Sequence, residues 1–214
     1  MTGEIYRAEM KDGKIHFNFR SGQSRILQTY NSHMTALVDK MAKPSRPMEV
    51  DLTDYPWQLS FIESTPAIDR TISLKRITPW TALGDNELDK MMGTGVYTTT
   101  FSLKKNDLEG DWFIELGDVR ESARVYLNDK FVGCAWSAPF SLNCSNLLRK
   151  GKNTLRIEVT NLPANRIADL DRKGVKWRKF NEINIVDINY KKNTYENWET
   201  VPSGLNSTVK LIRK

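Results

Sequence analysis

Short runs in which apolar and polar residues alternate recur along most of this chain, divided by turn residues, and no other feature narrows its fold as much. Met48, Val50 and Leu52 alternate with Glu49 and Asp51, and Trp57, Leu59 and Phe61 alternate with Gln58 and Ser60. Successive side chains of a strand point to opposite faces, so each run reads as a half-buried strand. The strongest run begins at Gly93, where Tyr97, Phe101 and Leu103 share one face and the β-branched Thr98 and Thr100 take the other. Trp112, Ile114 and Leu116 line another strand, Ala123, Val125 and Leu127 a third, and Leu155, Ile157 and Val159 a fourth.

The connections between these runs are short. Asn106-Asp107 is a turn, and Asn128-Asp129 supplies two residues that tolerate positive φ, which predicts a tight hairpin into a strand over 130–134. A further short strand is expected over 139–143, one helical turn over 145–151 stopped by Gly151, and a closing strand over 208–212. Strands at this spacing with almost no helical periodicity predict an all-β antiparallel β-sandwich. A parallel α/β sheet is excluded, because its crossovers need helices that the chain lacks.

Two segments fall outside the alternation. At the N-terminus, 5–9, 14–19 and 24–30 read as short strands punctuated by Asp12-Gly13 and Ser21-Gly22, and Pro44, Ser45 and Pro47 mark 32–47 as a linker. Three short strands bury too little to fold alone. Residues 1–47 are therefore expected to be the β remnant of a preceding domain plus linker, or an edge added to the main body, with the sandwich occupying 48–214. The second segment, 163–204, has weak periodicity and is expected to be a long loop excursion; loops of that length in a compact domain are usually functional.

Composition removes several function classes. A chain of 214 residues with 39% hydrophobic residues suits one compact domain, and it holds no apolar run long enough to span a bilayer. The net charge of +6 is mild. Its one concentration, RKGVKWRK at 172–179, is flanked by Asp169, Asp171 and Glu182, so it reads as a solvated or internally paired surface rather than a nucleic-acid contact. Binding of an acidic polymer through this run is the weaker alternative. Cys134 and Cys144 make neither a disulfide framework nor a zinc site, and a single bridge between them depends on a Cα separation that spacing does not give. The histidines, His16 and His33, read as surface residues, and Gly93-Thr94-Gly95 leads into a strand rather than a phosphate-binding helix. The opening MTGEIYRAEM has neither the apolar run nor the cleavage site of a signal peptide.

Four stretches, PWTALGD (79–85) leading into GTGVYTTTF (93–101), LGDVRESARVYLNDKFVGCAWSAPF (116–140), GKNTLRIEVTNLPANRI (151–167) and PSGLNSTVKL (202–211), resemble the galactose-binding-like jelly-roll domain of glycoside hydrolases. This is the sugar-binding type seen in family 2 enzymes and near the C-terminus of family 106 α-L-rhamnosidases. Asp129 stands where many relatives have Gly. The resemblance implies a C-terminal piece of a larger hydrolase that is secreted or periplasmic. It also implies that the cleaving carboxylates lie in a separate barrel domain, and it leaves a structural calcium open. A free-standing lectin-like module is the rival reading.

Glycoside cleavage needs two carboxylates across the scissile bond, one with a raised pKa. Glu115, Asp118, Glu121, Asp169, Asp171, Glu182 and Asp187 are candidates by type alone, and no pattern distinguishes them. A sugar-binding surface instead combines an aromatic plate with amides, carboxylates and arginines that read hydroxyls. Within 163–204 the candidates for glycan contact or for docking to a catalytic domain are Asn165, Arg166, Asp169, Trp177, Arg178, Asn181 and Glu182, accompanied by Phe180, Asn184, Tyr190, Tyr195 and Trp198. Trp136, just past the hairpin, joins them as a core lid or a platform.

Overall fold

Two antiparallel sheets face each other across an apolar interior, and their registers show why the alternating runs had to fold this way. The computed structural model describes residues 10–15, 17, 19, 21, 22, 24–31, 48–179, 189 and 193–213. In chain order its strands are β1 (Met10–Lys11), β2 (Lys14–Ile15), β3 (Met48–Asp51), β4 (Trp57–Thr65), β5 (Ile72–Leu74), β6 (Met92–Leu103) and β7 (Trp112–Glu115). Then come β8 (Val119–Arg120), β9 (Ser122–Leu127), β10 (Lys130–Ala135), β11 (Ser141–Asn143), β12 (Gly151–Thr160), helix α1 (Ala164–Arg172), β13 (Gly204–Leu205) and β14 (Lys210–Arg213).

The larger sheet has the order β10-β9-β12-β6-β4-β5 and the smaller β11-β7-β14-β3. Cross-strand partners put Leu59, Tyr97, Ile157 and Val125 in one row across four strands of the first. Leu142, Ile114, Leu211 and Val50 make the matching row of the second. All but Val50 and Leu142 in these rows are buried, and each fully buried aliphatic chain contributes about 1.5–3 kcal/mol. A one-residue slip of any strand would turn its row to solvent, so the register is fixed by burial.

Trp80 locks the layers together. It is fully buried, its main-chain N–H donates to Ser203 O at 3.0 Å, and its ring meets Phe61 edge-on at 5.9 Å. A Cβ on Gly95 would come within 2.5 Å of that ring and one on Gly204 within 2.9 Å. The indole occupies the space a side chain on Gly95 would need, while Gly204, at φ 107°, faces the Tyr97 hydroxyl as well as that ring.

The Asn128-Asp129 turn is as expected: both residues have positive φ, at 53° and 65°, and β9 pairs with β10 around them. Other expectations change. The excursion 163–204 does not begin as a loop, because α1 fills its first turns; the helix buries Asn165, Ala168 and Asp169, a mostly polar face, and its apolar spacing at Ala164, Ile167 and Ala168 is short. Gly151 opens β12 at φ 81° instead of stopping a helix, and the expected turn at 145–151 is a 3₁₀ turn over Ser145–Leu147. Asp12-Gly13 does turn between β1 and β2, but 24–30 is exposed and forms no strand. The expected strand at 5–9 and the linker at 32–47 lie outside the described residues. Both cysteines are free: Cys134 is exposed on β10, while Cys144 is buried and its thiol is pushed up to about 12 by that burial.

Candidate functional site

At the N-terminal end of α1, a buried polar joint ties the end of β12, the helix and the approach to β13 together. The Asn161 side chain accepts from Gly93 N–H at 3.0 Å and donates to Met91 O and Ser203 Oγ, both at 3.0 Å. One turn on, Asn165 donates to Val201 O and accepts from Val201 N–H, each at 2.8 Å. Asn165 is only 4% exposed, so its amide is committed within the chain.

Asp169, on the next turn, is 2% exposed and accepts from Arg166 at 2.9 Å and Lys173 at 2.8 Å. A buried carboxylate is tolerated only with such partners. Three of the sequence-derived candidates, Asn165, Arg166 and Asp169, thus lie on one short helix with two of them closed off from solvent.

The C-terminal end is different. Gly174, at φ 65°, closes the helix as the N–H groups of Lys173, Gly174 and Val175 reach back to the carbonyls of Asp169, Asp171 and Leu170. That reversal returns the chain past the helix end. Asp171 accepts from Trp177 Nε1 at 2.6 Å and from Tyr195 N–H at 2.8 Å, and Arg172 donates to Glu196 O at 2.7 Å and Trp198 O at 2.6 Å. Neighbouring helix residues therefore hold two segments about twenty residues apart in sequence.

Their aromatic rings meet. Trp177 and Tyr195 lie 6.2 Å apart between centroids, and Tyr195 and Trp198 4.5 Å apart. The Arg178 guanidinium sits 5.2 Å from both the Trp177 and Tyr195 rings and donates to Asn193 O at 2.9 Å. Trp198 is 46% exposed. The arrangement is an aromatic and guanidinium surface outside the core, fixed by two polar clamps, and it can stack on the C–H face of a sugar ring.

Sequence reasoning selected Trp177 and Arg178, and both are in this cluster. Asn181 and Glu182 lie outside the described residues. Trp136 is 71% exposed in the connection from β10 to β11 and makes none of the cluster's contacts. Asp171 and Arg172, the residues that assemble the cluster, had no distinguishing mark in a run of mixed charges.

Among the remaining carboxylate candidates, Asp118 has structural partners, and Glu182 and Asp187 lie outside the described residues. Asp118 is pushed up by burial, but hydrogen bonds from Asn206 and Arg120 and the Arg120 charge outweigh this and hold it below its ordinary value. Asp89 is raised by burial and then by the neighbouring Asp85 charge. Among the described residues no three or more His, Cys, Asp or Glu side chains gather as a metal set, so no donor group for a calcium ion is assigned. No helix among them is long and apolar enough to cross a membrane.

A two-sheet antiparallel sandwich whose polar-aromatic excursion precedes its final strands is a sugar-binding-type jelly roll. Residues 74–207 match the family described as glycosyl hydrolase 2 galactose-binding domain-like, and the chain belongs to that family. It is 30% identical over 173 residues to a candidate β-glucuronidase of Formosa agariphila, covering 72% of this chain and 15% of that protein. Among solved structures it is similar to a rhamnosidase from Novosphingobium sp. PP1Y, at 25% identity and a TM-score of 0.64 over 84% of this chain and 16% of that one. A β-D-glucuronidase of Dictyoglomus thermophilum shares the fold at 19% identity and a TM-score of 0.54, over 80% of this chain and 28% of that one. The chain thus spans less than a third of the length of each of these relatives.

Proposed function

We propose that this chain serves as a non-catalytic, carbohydrate-associated domain of a glycoside hydrolase, orienting a glycan for a catalytic domain. The Trp177–Tyr195–Trp198 cluster carries this reading, because it is built outside the core and held by Asp171 and Arg172 where a sugar ring can reach it.

A rhamnoside-cleaving or glucuronide-cleaving parent is the class that the relatives' names suggest, and such an enzyme, meeting polymers, works outside the cytosol. Calorimetric titration of the 214-residue chain with oligosaccharides tests the binding role. Binding that Trp198→Ala abolishes at unchanged melting temperature supports it, and silence across neutral and acidic glycans overturns it.

Bracing of the catalytic domain is the second reading. It is favoured by apolar side chains left outside the sandwich in the N-terminal segment, Ile26 at 91% exposure and Phe19 and Leu27 at over half. Co-purification of the chain with a separately expressed catalytic domain tests it.

A further inference from the structure

A row of outward-facing side chains crosses the larger sheet from edge to edge. Register pairs Ser73 with Gln58, Gln58 with Thr98, Thr98 with Arg156, Arg156 with Tyr126 and Tyr126 with Phe131, one residue from each of the six strands. Their strand neighbours Leu59, Tyr97, Ile157 and Val125 fill the core, so alternation turns this set to the outer face. Phe131 is 57% exposed, Gln58 and Ser73 are exposed, and Thr98, Arg156 and Tyr126 are half-buried.

Contacts within the row hold its groups in place. The Tyr126 and Phe131 rings meet at 5.4 Å between centroids, and the Arg156 guanidinium lies 3.8 Å from the centre of the Tyr126 ring. Arg156 is the one charged member of the row, and it is paired with the nearly buried Glu158. Arg124 and Lys152 stand on neighbouring rows of the same face. At the other edge Gln58 Nε2 donates to Ser73 Oγ at 3.1 Å. The row therefore runs from an aromatic plate to hydroxyl and amide groups that both donate and accept.

That sequence of groups suits a chain of sugar rings better than a protein surface, whose contact core is a continuous apolar patch. The C–H face of a pyranose stacks on an aromatic ring while its neighbours' hydroxyls meet amides and hydroxyls. Length agrees with a polymer: strands lie about 4.8 Å apart, so the row is roughly 24 Å long, the span of about five pyranose rings in an extended chain.

We propose that this row is a second carbohydrate-contacting surface, on which a linear neutral polysaccharide lies across the strands with Phe131 as its stacking plate and Thr98, Gln58 and Ser73 as its hydroxyl readers. It shares no residue with the Trp177–Tyr195–Trp198 cluster and stands independently of the role given to that cluster.

Calorimetric titration of the 214-residue chain with β-1,4-linked gluco- and manno-oligosaccharides of two to six units tests it. Affinity is expected to climb about tenfold from disaccharide to pentasaccharide and to level off there, since a longer chain overhangs the sheet. Phe131→Ala should weaken pentasaccharide binding about tenfold and Gln58→Ala about threefold. Trp198→Ala, or a rise to about 0.5 M salt, should change it little. Gln58 is exposed, so its variant still reads the row if Phe131→Ala fails to fold. Silence with every one of these chains, equal affinity for short and long ones, or binding that salt abolishes overturns the proposal. So does binding that Trp198→Ala removes and Phe131→Ala and Gln58→Ala leave intact, an outcome that keeps the cluster beyond α1 as the glycan contact.

Discussion

The side-chain amide of Asn165 pairs with the main chain of Val201 in both directions, donating to its carbonyl and accepting from its N–H at 2.8 Å each. A side chain thereby imitates a strand partner and fastens α1 to the segment that leads into β13.

Replacing Asn165 by Ala is therefore expected to destabilise the fold by about 2–3 kcal/mol, since two buried main-chain groups lose their partner. Urea unfolding should show a lower midpoint at unchanged slope. A midpoint within error of the parent would mean that the joint is not needed to hold the helix.

Asp118 predicts a pH dependence. Its Oδ2 accepts from Asn206 at 2.7 Å and from Arg120 at 2.8 and 3.1 Å, tying the corner after β7 to the stretch between β13 and β14. The folded carboxyl lies below its ordinary value, so its contribution is present above the unfolded pKa of about 3.9 and is lost as pH falls through the folded one. Asp118→Asn should be less stable than the parent at pH 7, and the gap should close below about pH 4. Melting curves of both proteins across that range would check the sign; a gap that widens in acid contradicts it.

The strands were legible because each buries one face, which forces alternation into the residues themselves, as in Leu155, Ile157 and Val159. Thr99 shows a local exception: it points inward at only 3% exposure because its hydroxyl donates to Pro56 O at 2.8 Å. Helix α1 was illegible for a related reason, since it docks through Asn165 and Asp169 rather than through an apolar stripe. The two-residue pair of β8 with β13 is too short to carry any period. At the site, residue types announced an aromatic surface, but its assembly depends on contacts across 24 and 26 residues that the turn at Gly174 makes possible, and no spacing rule encodes those.

Arg172 should act locally. Its guanidinium holds the carbonyls of Glu196 and Trp198, and the residue is exposed. Arg172→Ala is expected to leave the global melting temperature within about 2 °C while faster amide exchange appears over 193–200. Exchange measured by mass spectrometry on the two proteins would decide it. Unchanged protection there would show that Asp171 and the ring contacts suffice.

The β9–β10 turn offers an opposed pair of variants. Asp129 is exposed at φ 65°, a conformation that costs an L-residue energy and costs glycine almost none. Asp129→Gly should stabilise the chain by about 0.5 kcal/mol, the relief of strain exceeding the added freedom of the unfolded chain. Asn128 has nearly the same backbone, at φ 53°, yet the opposite outcome is expected there. Its side chain donates to Leu147 O and Asn153 Oδ1 and accepts from Thr154 N–H, all at 2.9–3.0 Å. Asn128→Gly gives up those bonds beside the fully buried Asn153 and should destabilise by about 1–2 kcal/mol. Thermal unfolding of the two variants side by side separates backbone strain from side-chain bonding at adjacent positions of one turn, and equal shifts of the same sign would refute the distinction.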